Sequence, residues 1–244
     1  MRMTACLFLF LCSIFFSYSQ RTDTAVFHLK ATLTGIINKT NTANSYLSNN
    51  NVRFSILKGP SIFNSVYSWI YGKQLTGITN NDYYAGLDYN YYDSARVLSA
   101  WSYVGYDKSY SLKLNGRFQG GVGLGADLLE SQYISLNISE GIIFEYNDYY
   151  QTADIQQNIN QVYRNSLRIK STIIIKKKII LNTTNFWQQS FSDKEDYILK
   201  SNSTLNLKLK KWLSLTVAVA YNKINLTGGE TFLLNYGLTF DKIF

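Results

Sequence analysis

The chain has 244 residues, of which 16% are charged and 16% aromatic, with 20 tyrosines, a single proline and a formal net charge of +8. Its mean hydropathy is only −0.13. This excludes a bundle of membrane helices, while few charges, many tyrosines and almost no proline suit long uninterrupted strands with aromatic belts.

The first element is an export signal over residues 1–19. Arg2 supplies the positive start, Leu7 to Phe16 the apolar stretch, and Ser17 and Ser19 the small residues before cleavage at Gln20. The apolar stretch is too short to span a bilayer as a helix, and no later segment is long enough. Cys6 and Cys12 both fall inside the signal, so the exported chain has no thiol. Acylation at Cys12 is disfavoured, because Leu9-Phe10-Leu11 lacks the small residue such a site needs. Residues 20–244 then form one domain.

Twelve segments read as strands: 26–35, 43–57, 61–71, 82–91, 96–105, 111–126, 132–146, 160–175, 178–190, 197–209, 212–224 and 231–244. In the sixth, Leu112, Leu114, Phe118, Val122 and Leu124 oppose Lys113, Asn115, Arg117, Gln119 and Gly123. In the eleventh, Leu213, Leu215, Val217, Val219 and Tyr221 oppose Ser214, Thr216, Ala218, Ala220 and Asn222. This nine-residue stretch, tilted, spans roughly 25 Å, the height of a barrel's apolar band. Trp212 and Tyr221 bracket it as interface anchors. In the twelfth, Phe232, Leu234, Tyr236, Leu238 and Phe240 alternate with Leu233, Asn235, Gly237, Thr239 and Asp241, and the chain stops on Phe244. The pattern predicts an all-β fold, an antiparallel transmembrane β-barrel of about twelve strands. Tyr236, Phe240 and Phe244 form the aromatic signature expected to be read by the barrel-assembly machinery.

The connections are expected to alternate in length. Short ones fall at Lys58 to Pro60, Asp93 to Ala95, Leu128 to Ser131, Lys176-Lys177 and Lys210-Lys211. Longer ones fall near 36–42, 72–81, 106–110, 147–159, 191–196 and 225–230. Short turns facing the periplasm place both termini there, which requires an even strand count. Glu140 falls on the apolar register of the seventh strand, and a bulge near Glu140-Gly141 is the expected remedy.

These residues also carry a resemblance. Thr34-Gly35 followed by Asn38 to Thr42 resembles the early Gly-Asn-Thr-Asn-like turn of the domain-of-unknown-function 481 family, whose members are often called salt-induced outer-membrane proteins. Tyr84 to Tyr89, Gly121 to Gly125, Leu205 to Leu209 with Trp212 to Leu215, and Asn235 to Phe240 are similar to its later sections. The resemblance spans about residues 27–244. It implies an outer-membrane location in a Gram-negative bacterium and brings no catalytic residues.

Candidate chemistry is sparse. His28, the single histidine, faces the lumen near the periplasmic end with no evident catalytic partner, so a lumen hydrogen bond is its expected role. No cluster of ligands suggests a metal, and no cofactor is expected. Gly120 to Gly125 mimics a dinucleotide loop, but lies within a strand rather than before a helix; relief of crowding or sheet curvature explains it better. Lys176 to Lys178 and Lys208, Lys210 and Lys211 read as solvated cations beside lipid headgroups rather than a nucleic-acid patch. The five Asn-x-Ser/Thr sequons are what an Asn- and Thr-rich chain produces by chance.

The inward register collects Lys30, Arg53, Lys113, Arg117, Arg164, Arg168, Lys170, Lys200 and Lys208 against fewer acids, chiefly Asp88, Asp127 and Glu145. Such a set predicts a positive lumen, with Lys113, Arg117, Arg164, Arg168 and Lys170 as its basic lining. The expected function is a non-enzymatic barrel, either a narrow anion-preferring passage or an envelope-maintenance protein, with membrane lipids and small solutes as partners and no nucleic acid. The alternatives are a barrel enzyme acting on lipid or peptide, and a secreted soluble β-rich binding protein.

Overall fold

A computed structural model of the chain describes residues 25–39, 44–93, 97–150 and 159–244. The expected export signal at 1–19, with its two cysteines, lies outside the described residues. The chain forms β1 (Val26–Lys39), β2 (Asn44–Lys58), β3 (Ser61–Gln74), β4 (Gly77–Tyr92), β5 (Leu98–Ser109), β6 (Leu114–Glu130), β7 (Ile134–Tyr149), β8 (Ile159–Ile175), β9 (Ile179–Ser190), β10 (Tyr197–Lys210), β11 (Leu213–Ile224) and β12 (Gly229–Ile243). Each strand pairs antiparallel with its neighbours in sequence, and β12 returns to β1 to close the barrel. Closure leaves no continuous free edge, which the interior of a bilayer requires.

Period two sets the two faces. On β11, Leu215 and Val217 point outward while Ser214 and Thr216 are buried inside. An aromatic girdle runs over β2 to β4, where Trp69 stacks on Tyr83 at 6.0 Å and Tyr46 lies 5.8 Å from Tyr71. Residues Val26 and Ile243 lie at one end of the barrel, the turn end, with the connections at 59–60, 93–97, 131–133, 176–178 and 211–212. The opposite, loop end carries 40–43, 75–76, 110–113, 150–158, 191–196 and 225–228.

Four sequence expectations need correction. The long loop near 72–81 is a two-residue turn, Leu75-Thr76. Strands β3 and β4 run on to it through a register shift at Gly72/Lys73, and Gly77 turns at φ 136°. Lys113 is not on a strand; it sits in the β5–β6 turn at φ 57° and is exposed. A register shift between Leu114 and Gly116 inverts the phase there, so Leu112 and Leu114 are buried inside rather than facing lipid. Finally, no shift occurs at Glu140. Pairing is continuous from Glu140↔Leu124 to Gly141↔Gly123, so Glu140 stays outside, where it accepts a hydrogen bond from Asn165 Nδ2 at 2.9 Å.

The outer wall carries a polar island as well. Register places Ser171, Thr183 and Ser203 side by side on β8 to β10, with Asn185 and Ser201 one step along. Ser171 and Thr183 share a hydrogen bond of 2.9 Å, and Ser201 Oγ donates to Asn185 Oδ1 at 2.7 Å. Leu167, Trp187 and Leu199 flank the island on one side and Ile173, Leu181 and Leu205 on the other.

Candidate functional site

The inward side chains stack in layers along the lumen. At the loop end the β5–β6 turn folds into the mouth. Asp82 on β4 holds it there, accepting from Ser109 Oγ at 2.9 Å, from Ser111 Oγ at 2.8 Å and from the Ser111 backbone N–H at 3.1 Å. The turn reaches the far wall, since a Cβ on Gly229 would stand 3.2 Å from the Leu112 carbonyl oxygen. Leu112, Leu114, Tyr149, Ile198 and Ile224 meet beneath it as a buried apolar plug.

An ionic layer lies next to the plug. Arg117 donates to Asp107 through Nε at 2.9 Å and through its NH2 group at 2.5 Å. Arg164 donates to Glu145 at 2.6 Å and to both carboxylate oxygens of Asp196 at 2.8 and 2.9 Å. Gln119 also donates to Glu145, and Lys200 stands 4.0 Å from Asp107. Arg117, Glu145 and Arg164 are fully buried. Opposite charges cancel within this layer, so it cross-braces β5 to β10 and presents no uncompensated field to a solute.

Glycines shape the middle. A Cβ at Gly123 or at Gly141 would stand 2.5 Å from Trp101 Cζ2. Tyr84 and Tyr103 cover Gly86 and Gly105 in the same way. The bare backbone lets these rings lie flat against the wall, the role of rings packed over sheet glycines, and this accounts for Gly123, while Gly121 is crowded by Ile143 and Gly125 by Ser99 and Ser139.

Turnward of these rings the lumen is different. Arg53 projects from β2 and Arg168 and Lys170 from β8 on the opposite wall, close enough for their charges to repel. Lys30 on β1 adds a fourth, within reach of Arg53. Arg53 and Lys170 are exposed to the lumen. Arg168 donates to Ser139 Oγ at 2.9 Å and lies 6.0 Å from the Trp101 ring. No carboxylate forms an ion pair with these four among the described residues. Asp88, Asp127 and Asp241 share this half, and their charges act on the bases: Asp88 and Asp127 on Arg168 and Lys170, and Asp241 on Lys30. Asp88 accepts from Asn64 and Asn90, Asp127 accepts from Asn137, and Asp241 pairs with His28 at 2.7 Å.

The expected basic lining therefore separates into three environments. Arg117 and Arg164 sit in the neutral ionic layer, Arg168 and Lys170 in the turnward chamber, and Lys113 in the exposed turn. Asp107 and Asp196 are the residues that sequence reasoning missed. Asp107 continues the inward alternation Trp101, Tyr103, Gly105, and that signal was available once β5 was extended to Ser109. Of the aromatic signature, Tyr236, Phe240 and Phe244 all face outward and are exposed. His28 makes the expected lumen hydrogen bond. No cluster of His, Cys, Asp and Glu suited to a metal occurs among the described residues.

Comparison with known proteins bears on the architecture. The family described as "Protein of unknown function, DUF481" matches residues 20–231. No curated protein matches the chain. Among solved structures, the NanC porin shares the barrel fold with a TM-score of 0.51 at 9% identity, covering 89% of this chain and 98% of the porin. The translocator domain of the autotransporter NalP from Neisseria meningitidis aligns with a TM-score of 0.47 at 8% identity, over 98% of this chain and 95% of that one. The KdgM porin in complex with disordered oligogalacturonate aligns with a TM-score of 0.45 at 11% identity, over 89% and 98%. The chain is thus a closed, twelve-stranded antiparallel barrel of the outer-membrane type.

Proposed function

The chain belongs to the DUF481 family, and we propose that this member is a non-enzymatic barrel of the Gram-negative outer membrane whose lumen takes small anions from the periplasmic side. In this reading the turn end and both termini face the periplasm. The turnward chamber is a cationic vestibule, and the plug at the loop end keeps it blind until the β5–β6 turn is displaced. The observation that carries the reading is the convergence of Arg53, Arg168 and Lys170 from opposite walls, with Lys30 beside them, in a chamber where these four bases outnumber the acids Asp88, Asp127 and Asp241. A net positive charge between low-dielectric walls focuses a positive field and concentrates anions. The buried pairs at Arg117 and Arg164 are matched by Asp107, Glu145 and Asp196, so in this reading selectivity rests on the turnward half. A bonding role for His28 supports the non-enzymatic reading, since its ring is held by the Asp241 carboxylate at 2.7 Å.

Reconstitution in planar bilayers under a salt gradient tests the proposal. The native protein should conduct weakly, and Asp82→Ala, which frees the β5–β6 turn, should raise conductance. The reversal potential of the opened form should favour anions and shift toward cations in Arg53→Glu/Arg168→Glu. An opened form without ion preference, or one unchanged by the double substitution, overturns it.

A further inference from the structure

The twelve seams of the barrel are not equal. From His28↔Ile243 to Gly35↔Tyr236, β1 and β12 pair through eight residues each, and then pairing stops. Continued in register, the ladder would join Ile36 to Asn235, Ile37 to Leu234, Asn38 to Leu233 and Lys39 to Phe232. None of these pairs forms; β1 stays with β2 up to Lys39↔Asn44, and β12 stays with β11 from Gly229 onward. The wall therefore splits toward the loop end. The fork sits above a tight pinch, since a Cβ on Gly237 would stand 2.0 Å from the Leu33 carbonyl oxygen and 2.7 Å from Thr34 Cα. Below the pinch the seam is held by the Thr32–Thr239 hydrogen bond at 3.0 Å and by His28–Asp241.

A cavity of about 270 Å³ occupies the split. Ile36, Leu47, Phe232 and Leu234 give it apolar walls, and Asn80 and Asn235 supply polar groups. Asn235 is 1% exposed, yet neither its Oδ1 nor its Nδ2 has a hydrogen-bond partner. Leaving both ends of a buried amide unpaired is costly, which makes it a candidate to be satisfied by something that enters. Tyr46, whose ring lies 5.8 Å from Tyr71 in the aromatic girdle, also lines the cavity. Such girdles mark the boundary between hydrocarbon and headgroups. A ligand arriving through the split comes from the membrane at that depth, with a tail suited to the apolar walls and a head that can meet an amide.

We infer that the split between β1 and β12 is a lateral binding site for an acyl-chain amphiphile, whose carboxyl or ester oxygen pairs with the Asn235 amide. The site is separate from the turnward chamber and does not depend on its anion preference. A free fatty acid and a membrane lipid present the same chemistry, a hydrocarbon chain ending in an oxygen acceptor.

The experiment uses the full exported chain folded in phosphatidylcholine vesicles and a diazirine-bearing palmitic acid as the photolabel. Adducts are expected within Ile36, Leu47 and Phe232–Asn235, saturable with probe. Asn235→Leu, checked for folding by heat-modifiability, should lower labelling at these positions at least fivefold. Ile37→Cys/Leu234→Cys places thiols on two outward positions that meet when the ladder zips up. Its oxidised form should exclude the label, and reduction of the same sample should restore it. Competition by unlabelled palmitate identifies a free acid as the occupant, and competition by lysophosphatidylcholine alone identifies a membrane lipid; either supports the site. Labelling spread evenly around the outer wall, or equal in native and Asn235→Leu protein, overturns it.

Discussion

Arg117 and Asp107 sit opposite one another on β6 and β5, joined by hydrogen bonds of 2.9 and 2.5 Å, with the arginine side chain 1% exposed. The pair stands between the apolar plug and the aromatic middle of the lumen. A charge so placed is held by its partner, and removing the partner leaves it stranded. Asp107→Asn should therefore cost about 3–5 kcal/mol, whereas Arg117→Met/Asp107→Leu together should cost far less. Urea titration of the folded barrel in vesicles measures both, and equal losses would show that the pair acts as two independent packing elements.

On β11, Val217 faces outward and Ala218 faces the lumen. Val217→Arg should destabilise the barrel by about 2–4 kcal/mol if it lies near the bilayer midplane, and Ala218→Arg by less. Folding yield into bilayers compares them directly. The reverse order would mean that the faces of β11 are assigned the wrong way round.

The polar island on the outer wall leads to an opposite kind of expectation. Ser201 and Asn185 satisfy part of each other's hydrogen-bonding capacity while facing a medium that offers no water. Ser201→Ala alone leaves Asn185 Oδ1 without its donor and should destabilise by about 1–3 kcal/mol. Ser201→Leu/Asn185→Leu removes both partners and should be neutral or stabilising in the same titration.

At the turn end the last residue closes the seam. Phe244 N–H donates to the Phe27 carbonyl at 2.8 Å, and Phe27 N–H donates to the Phe244 carbonyl at 3.3 Å. Deletion of Lys242 to Phe244, or Phe244→Ser, should deplete the protein from the outer membrane. Quantitative immunoblotting of membrane fractions, with heat-modifiability as the folding readout, decides between this and a dispensable terminus.

The architecture was legible because alternation in β11 and β12 is strict and the fold follows from it. The ends of β3 and β4 were not. Lys73, Gln74, Asn80 and Asn81 look like loop residues, but strands that continue beyond a membrane tolerate them, and Gly77 supplies the turn. The plug was hidden by a single extra residue near Leu114 and Gly116, which reverses every assignment on one side of it while leaving the apparent period intact. Arg117 and Arg164 looked like free lumen charges because Asp107 and Asp196, which join Glu145 as their counter-ions, lay in segments read as loops. The split above Gly237 depends on how two strands diverge in space, and neither strand's own sequence records its distance from the other.

Every other ladder in this barrel joins strands adjacent in the chain and can form as soon as a hairpin is complete. The pairing of His28 with Ile243 waits for the entire sequence. A contact of that separation is dear in chain entropy and is expected late in folding. During insertion the outer edge of β1 must stay unzipped while ten strands assemble behind it. Pulsed hydrogen–deuterium labelling of refolding protein should therefore find the β1 amides that bond to β12 protected after those of β6 and β7, whose hairpin closes locally.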